Sequence, residues 1–222
     1  MAKLTLYGVE LSPYVRKVRL ALAFKGLDYQ QIAVFPFMED KPVEFVEHSP
    51  LGKIPLFASD DNFITDSDVI IAYLERAYPQ PALLPTDDIA AARALWFAEY
   101  ASSKMVEVIG GHLFAEVILA KQFFNREPIQ TDIDKAITTE IPEICTYLEN
   151  QLSSDYLVGD SFTLADLCVG AMFLMMHHCQ QRCDASKWPK VAAYIERVHG
   201  SKLFTDLQAE EKELFVKYGM TA

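Results

Sequence analysis

The period of the apolar positions changes partway along the chain. Near the N-terminus Leu4 and Leu6 alternate with polar neighbours, the period of a half-buried strand. Ser12-Pro13 then opens a helix, because proline is favoured at the first helical position. Val15, Val18 and Leu22 recur at helical spacing, and Gly26 is a natural stop. Tyr29 to Val34 reads as a second strand, and Pro42 to Val46 as a short helix. Pro55 to Ala58 and Phe63-Ile64 read as two short strands around the turn Ser59-Asp60-Asp61-Asn62. A helix follows from Ser67 to about Tyr78. The order is β-α-β-α-β-β-α.

Beyond this point strand signals almost vanish. Tyr78-Pro79-Gln80-Pro81 and Leu83-Leu84-Pro85 break the pattern as an interdomain linker would. The division predicted is residues 1–80, a linker at 81–88, and an all-helical region at 89–222. Ile89 to Glu107 is a long helical stretch, and Gly110-Gly111 predicts a kink or break after it. Ile133 to Gln151 and Pro189 to Val198 are further helices. Thr163-Leu164-Ala165-Asp166 resembles a capping box with Asp in the Glu position. Leu164 to Met176 is apolar on all sides and predicts a central buried helix. Asp166 is therefore structural.

Composition narrows the function classes. A formal net charge of −11 disfavours sequence-independent nucleic-acid binding, which depends on excess Lys and Arg. No apolar run reaches the length of a membrane span. The N-terminus lacks the apolar stretch of a signal peptide, so the expected location is the cytoplasm. Structural disulfides are not expected there. Cys145, Cys168, Cys179 and Cys183 all lie in the second half, none in a Cys-x-x-Cys pair. Cys179 and Cys183, four apart, would share a helix face. With His177 and His178 they do not assemble four zinc ligands at suitable spacing, so no metal is expected. Arg16, Lys17 and Arg19 read as a solvated helix face that can also steer an anionic ligand.

The chemistry concentrates in Ser49-Pro50-Leu51-Gly52-Lys53-Ile54-Pro55-Leu56 and Thr65-Asp66-Ser67-Asp68. Proline at a strand entrance often marks a cis bond. Such a turn would leave the N–H and C=O of Ile54 facing outward, able to pair with an extended peptide. Asp66 and Ser67 precede the apolar helical pattern Val69, Ile70, Tyr73 and Leu74. A hydroxyl and free amides at a helix start suit a carboxylate, and Asp66 suits an ammonium. Together they describe a site for a small zwitterionic peptide such as glutathione. Ser12 and Ser67 can equally be plain helix caps, and Pro55 a plain turn proline.

Ser12-Pro13-Tyr14-Val15-Arg16-Lys17-Val18-Arg19, Gly52-Lys53-Ile54-Pro55, Asp66-Ser67, Leu83-Leu84-Pro85 and Thr163 to Asp166, in this order, resemble the cytosolic glutathione transferases over essentially the whole chain. The resemblance implies an α/β thioredoxin-like N-terminal domain, an all-α C-terminal domain, a homodimer, and a role in detoxification with glutathione as cosubstrate. It implies that Ile54 pairs its backbone with the cysteinyl part of glutathione and that Pro55 is the cis-proline. Asp66 and Ser67 would hold the γ-glutamyl end, and Lys53 and Lys41 the glycine carboxylate. Ser12 matches the serine-type catalytic position and would stabilise the thiolate for attack on an apolar electrophile. Val9, Leu11, Tyr100, Ser103, Lys104, Glu107 and His112 would line the electrophile's pocket. Two departures stand out. Most relatives have Glu where this chain has Asp66. The Ser-Ser-Cys run of the isomerase class is replaced by Leu11-Ser12-Pro13. The alternatives implied are a non-catalytic regulatory or protein-interaction subunit, and a glutathione-dependent isomerase or dehalogenase.

Overall fold

The computed structural model describes residues 2–220. They form two compact units, one ending at Leu83 and the other beginning at Leu84. The first contains β1 (Leu4–Tyr7), α1 (Pro13–Phe24), β2 (Gln30–Ile32), α2 (Val43–His48), β3 (Leu56–Ser59), β4 (Asn62–Thr65) and α3 (Ser67–Ala77). The sheet order is β2-β1-β3-β4. β1 and β2 run parallel, while β3 is antiparallel to both β1 and β4. The second strand is shorter than its apolar pattern predicts, because Ala33 to Phe35 carries no further ladder pairing.

Register decides what this sheet presents at its end. Tyr7 lies opposite Ile32 on one side and Leu56 on the other, and Leu56 lies opposite Thr65. The segments leaving β1 and β2, entering β3 and leaving β4 therefore all meet at one end of the sheet. Below it, Tyr7, Val34, Phe45, Leu56 and Ala58 form an apolar cluster, with Ile54 and Phe63 packed against it. α1 and α3 pack on each other.

The basic run on α1 is not a solvated face. Arg16 is fully buried, and Lys17 and Arg19 are nearly so. Lys17 Nζ binds Asp68 Oδ1 at 2.6 Å, and Arg19 reaches the carbonyl of Glu10 at 3.3 Å. Burying Lys17 and Arg19 is tolerable because they are paired or hydrogen-bonded there. Lys25, also buried, holds the proline-rich stretch through the carbonyls of Tyr78 at 2.8 Å and Pro81 at 3.0 Å, and Glu75 at 2.5 Å. That clamp keeps residues up to Leu83 with the first unit.

The second unit is helical. α4 (Asp88–Tyr100) continues without a break through wider, π-type turns over Ala101–Leu119 into Ala120–Gln122. The break predicted at Gly110-Gly111 does not occur; the helix runs through both residues. α5 (Gln130–Lys135) continues through Ala136–Glu140 into α6 (Ile141–Gln151). α7 (Leu164–His178) is buried along its length from Leu164 to Met176 and packs on the long helix and on α4. α8 (Pro189–His199) and α9 (Lys202–Lys217) complete it. A Cβ on Gly170 would stand 2.6 Å from Val198 and 2.8 Å from Phe204, so α8 and α9 approach α7 as only glycine permits. The sequence reading left α9 unassigned, although Phe204, Leu207, Leu214 and Phe215 repeat at helical spacing and are all buried. Among the described residues no helix is long and apolar enough to cross a membrane.

Candidate functional site

The end of the first unit's sheet gathers the residues expected to hold a peptide. Ser12 starts α1, Ile54-Pro55 enters β3, and Asp66-Ser67 joins β4 to α3. The Ile54–Pro55 bond is cis. Pro55 is buried, while Ile54 is half-buried with its side chain against the apolar cluster below the sheet.

Gly8 is the hub the sequence reading missed. Its φ of +149° is a backbone conformation that side-chain-bearing residues rarely adopt. A Cβ there would stand 2.5 Å from Val15 Cγ2 and 3.2 Å from Ile54 Cβ. Only glycine lets the end of β1, the first turn of α1 and the cis-proline turn meet this closely. Gln31 Nε2 donates to the Gly8 carbonyl at 2.6 Å, and the Gly8 amide donates to Ile32 at 2.9 Å, which fixes the turn. A lone glycine directly after a strand was the available signal.

Ser12 occupies the N-cap position with extended backbone, φ −62° and ψ 132°. Its carbonyl accepts from Arg16 at 2.8 Å, and its amide donates to Val9 at 3.1 Å. Its hydroxyl makes no cap hydrogen bond, and the first turn of α1 carries no acidic side chain. The positive end of the α1 dipole is thus not neutralised from within the helix. The half-buried hydroxyl is not consumed by capping.

Asp66 behaves differently. Its Oδ1 accepts from the amides of Asp68 at 2.9 Å and Val69 at 3.3 Å, a conventional cap. Its φ is +72°. Asp66 is exposed and Ser67 buried. The Ser67 amide stands outside that cap, at the first position of α3. The Lys17–Asp68 pair ties the early turns of α1 and α3 to each other. Lys53 is exposed and Lys41 half-buried. His48, beside this region in sequence, stacks on Phe63 with ring centroids 3.8 Å apart, a contact no spacing argument indicated.

The pocket candidates separate by unit. Val9 and Leu11 lie in the loop after β1, half-buried and buried. In the second unit the Tyr100 ring lies tilted against that of Tyr147, centroids 4.9 Å apart, and Trp96 Nε1 donates to the Tyr147 hydroxyl at 2.7 Å. Burial, with Tyr147 next, pushes the Tyr100 phenol up to about 12. Ser103 donates to the Glu99 carbonyl at 2.8 Å, and Lys104 pairs loosely with Glu107 at 3.4 Å. His112 is engaged at Nδ1 by Glu140 at 2.7 Å, which also binds Lys135 at 2.8 Å. Burial alone would raise the Glu140 carboxyl, but the bonds from Lys135 and His112 outweigh it and hold it below the usual range. That network ties helices together and accounts for His112 without a ligand.

α7 ends at His178, so Cys179 and Cys183 do not share a helix face; Cys179 is the C-cap and Cys183 lies in the following loop. Among the described residues no group of three or more His, Cys, Asp or Glu is placed to hold an ion.

Known proteins match both units. Residues 6–82 match the family of the glutathione S-transferase N-terminal domain, and residues 116–202 that of the C-terminal domain. Over 220 residues the chain is 32% identical to glutathione S-transferase Z2 of Arabidopsis thaliana, covering 95% of this chain and 93% of that protein. It is 30% identical to a probable maleylacetoacetate isomerase of Caenorhabditis elegans, covering 85% of each. The crystal structure of a glutathione S-transferase from Rhodospirillum rubrum F11 superposes with a TM-score of 0.80, at 25% identity and 90% coverage of both chains.

Proposed function

The chain belongs to the glutathione S-transferase family, and from that premise we propose that it binds glutathione at the end of its sheet and ionises the thiol beside Ser12. The observation that carries this reading is the Ser12 hydroxyl, set at a helix N-terminus and making no cap bond. A hydroxyl spent on capping would be accounted for; this one is left for a ligand.

In this reading the nucleophile is the thiol of glutathione. A free thiol with a pKa of about 8.5 is only about 3% ionised at neutral pH. The Ser12 hydroxyl donates a hydrogen bond to the sulfur, and the α1 dipole adds positive potential. Lowering the thiol pKa by about two units takes about 2.7 kcal/mol and makes most of the bound thiol a thiolate at neutral pH. The Ile54 amide and carbonyl pair with the cysteinyl backbone. Ser67 donates to the γ-glutamyl carboxylate. Both cap bonds of Asp66 fall on Oδ1, which leaves Oδ2 for the ammonium. Lys53 and Lys41 meet the glycine carboxylate, and Val9 and Leu11 touch an apolar electrophile. The working form is a cytoplasmic homodimer.

The likeness to a probable maleylacetoacetate isomerase supports a second reading on the same peptide site. The thiolate would add to the second substrate and leave again, so glutathione would not be consumed. Leu11-Ser12-Pro13 in place of Ser-Ser-Cys favours conjugation over it.

Calorimetric titration with glutathione and with S-hexyl glutathione tests the shared premise. Saturable binding of both is the expected result, the hexyl compound binding more tightly. Absence of binding by either at millimolar concentration would overturn it and leave the non-catalytic interaction protein. Counting glutathione consumed per turnover then separates conjugation from isomerisation.

A further inference from the structure

In the second unit, Cys145 Sγ and Cys183 Sγ lie 3.1 Å apart although 38 residues separate them in sequence. We propose that this pair is an oxidative modification site, in which a peroxide converts the two thiols into an intramolecular disulfide that glutathione can reverse.

The neighbourhood holds the two sulfurs against each other. Cys145 is on α6, facing the buried side; Cys183 is in the α7–α8 loop and half-buried. That loop is fastened to α6 beside and beyond Cys145. Trp188 Nε1 donates to Thr146 Oγ1 at 3.0 Å, and the amides of Lys190 and Val191 donate to Glu149 at 3.2 and 3.0 Å. The loop also closes on itself, with the Trp188 amide donating to the Asp184 carbonyl at 2.9 Å. The thiol contact is therefore part of a docked segment. A disulfide bond of about 2.05 Å asks the sulfurs to approach by about 1 Å.

The two thiols differ in access, which assigns their order. Cys183, partly open to solvent, meets the oxidant first. Its thiolate attacks one peroxide oxygen, the O–O bond breaks, and one water leaves, making a sulfenic acid. Cys145 Sγ then attacks Cys183 Sγ, the S–O bond breaks, and hydroxide departs with the Cys145 proton as a second water. Two thiols and one peroxide become one disulfide and two waters, sulfur being oxidised and oxygen reduced. Cys145 suits the resolving role by position, 3.1 Å from Cys183; its hydrogen bond to Cys183, and burial next, push its thiol well above the usual range, so it attacks only as its proton passes to the departing hydroxide. It does not compete for the oxidant but lies in contact with the product of the first step. Cys168 and Cys179 are buried, and burial pushes the Cys179 thiol up to about 12, so both should stay reduced. The bond spares Cys183 from irreversible oxidation and pins the α7–α8 loop to α6.

The reduced full-length protein is treated with stoichiometric hydrogen peroxide, quenched, and its thiols titrated under denaturing conditions. The titre is expected to halve from the four free cysteines, with a non-reducible-gel mobility of a monomer and a linked peptide pair carrying Cys145 and Cys183 by mass spectrometry. Two glutathione molecules per disulfide, leaving as glutathione disulfide, should restore all thiols, and the oxidised form should melt at higher temperature than the reduced one. Cys183→Ser should abolish thiol loss, whereas Cys145→Ser should leave sulfenic acid on Cys183, trapped by a dimedone probe. An unchanged titre, a link between other cysteines or between two chains, or over-oxidised Cys183 with Cys145 still a thiol would each overturn the proposal.

Discussion

Helices α1 and α7 both begin at a hydroxyl residue and use it in opposite ways. At the start of α7, Thr163 and Asp166 close a capping box. Asp166 Oδ2 accepts from the Thr163 amide at 2.8 Å and hydroxyl at 3.0 Å, and its Oδ1 accepts from the Leu157 amide at 3.0 Å. All of this is buried, and burial pushes the Asp166 carboxyl up despite those bonds. At the start of α1, Ser12 makes no cap bond at all. α3 stands between them, with Asp66 capping through one oxygen only. A helix end that is closed from within serves the fold. One left open has donors and a positive potential to offer to something else.

The largest effect expected from this contrast is at the closed end. Asp166→Ala strands the buried amides of Leu157 and Thr163 and should cost about 3–5 kcal/mol of stability by urea denaturation. A loss below about 1 kcal/mol would mean that the box is not what holds α7.

Ser12→Ala should do the reverse. With no cap bond to lose, stability should move by less than about 0.5 kcal/mol. Turnover at neutral pH should fall by about 10-fold or more, up to the roughly 30-fold that separates a mostly ionised thiol from one about 3% ionised, with little change in glutathione affinity. The ultraviolet absorbance of bound thiolate, titrated against pH, should shift its midpoint upward in the variant, by less than about two units because the α1 dipole remains. Equal losses in turnover and affinity would remove the thiolate role, and a loss of stability alone would return Ser12 to the class of plain caps.

The smallest effect concerns the far end of α7. Burial, and then the neighbouring His199, Arg182 and His178, push the His177 imidazole down from 6.5 to about 3. A depressed imidazole stays neutral in the folded state while the unfolded chain takes up a proton. Its contribution is therefore intact above about pH 6.5 and is lost as the pH falls from there towards about 3. The melting temperature should slope downward over that window, and His177→Gln should flatten the slope. An unaltered slope in the variant would move the effect to the similarly buried His199, whose imidazole burial also holds down.

Much of this was readable without coordinates, because it is local. Pro13 at a helix start, the turn at Ser59 to Asn62, the cis-favouring Ile54-Pro55 and the box from Thr163 to Asp166 each depend on residues within a few positions of each other. The apolar α7 announced its own burial. What was misread depends on distant partners. Lys17 and Arg19 look like part of a surface stripe until Asp68 and Glu10 are brought to them. Gly110-Gly111 looks like a break until packing on α7 supports the helix through it.

The amino-acid sequence by itself determined the elements of the first unit, the two-part organisation and the residue types of the proposed peptide site, since propensity, period and turn chemistry act over a few residues. Tertiary structure alone decided that Ser12, Ile54 and Ser67 converge at one sheet end, that the Ser12 hydroxyl is spared from capping, and that Cys145 meets Cys183. Convergence follows from strand register and from the close approach Gly8 permits, and the sulfur contact from a loop docked on α6. Such contacts join residues far apart in the chain, and no local pattern encodes them.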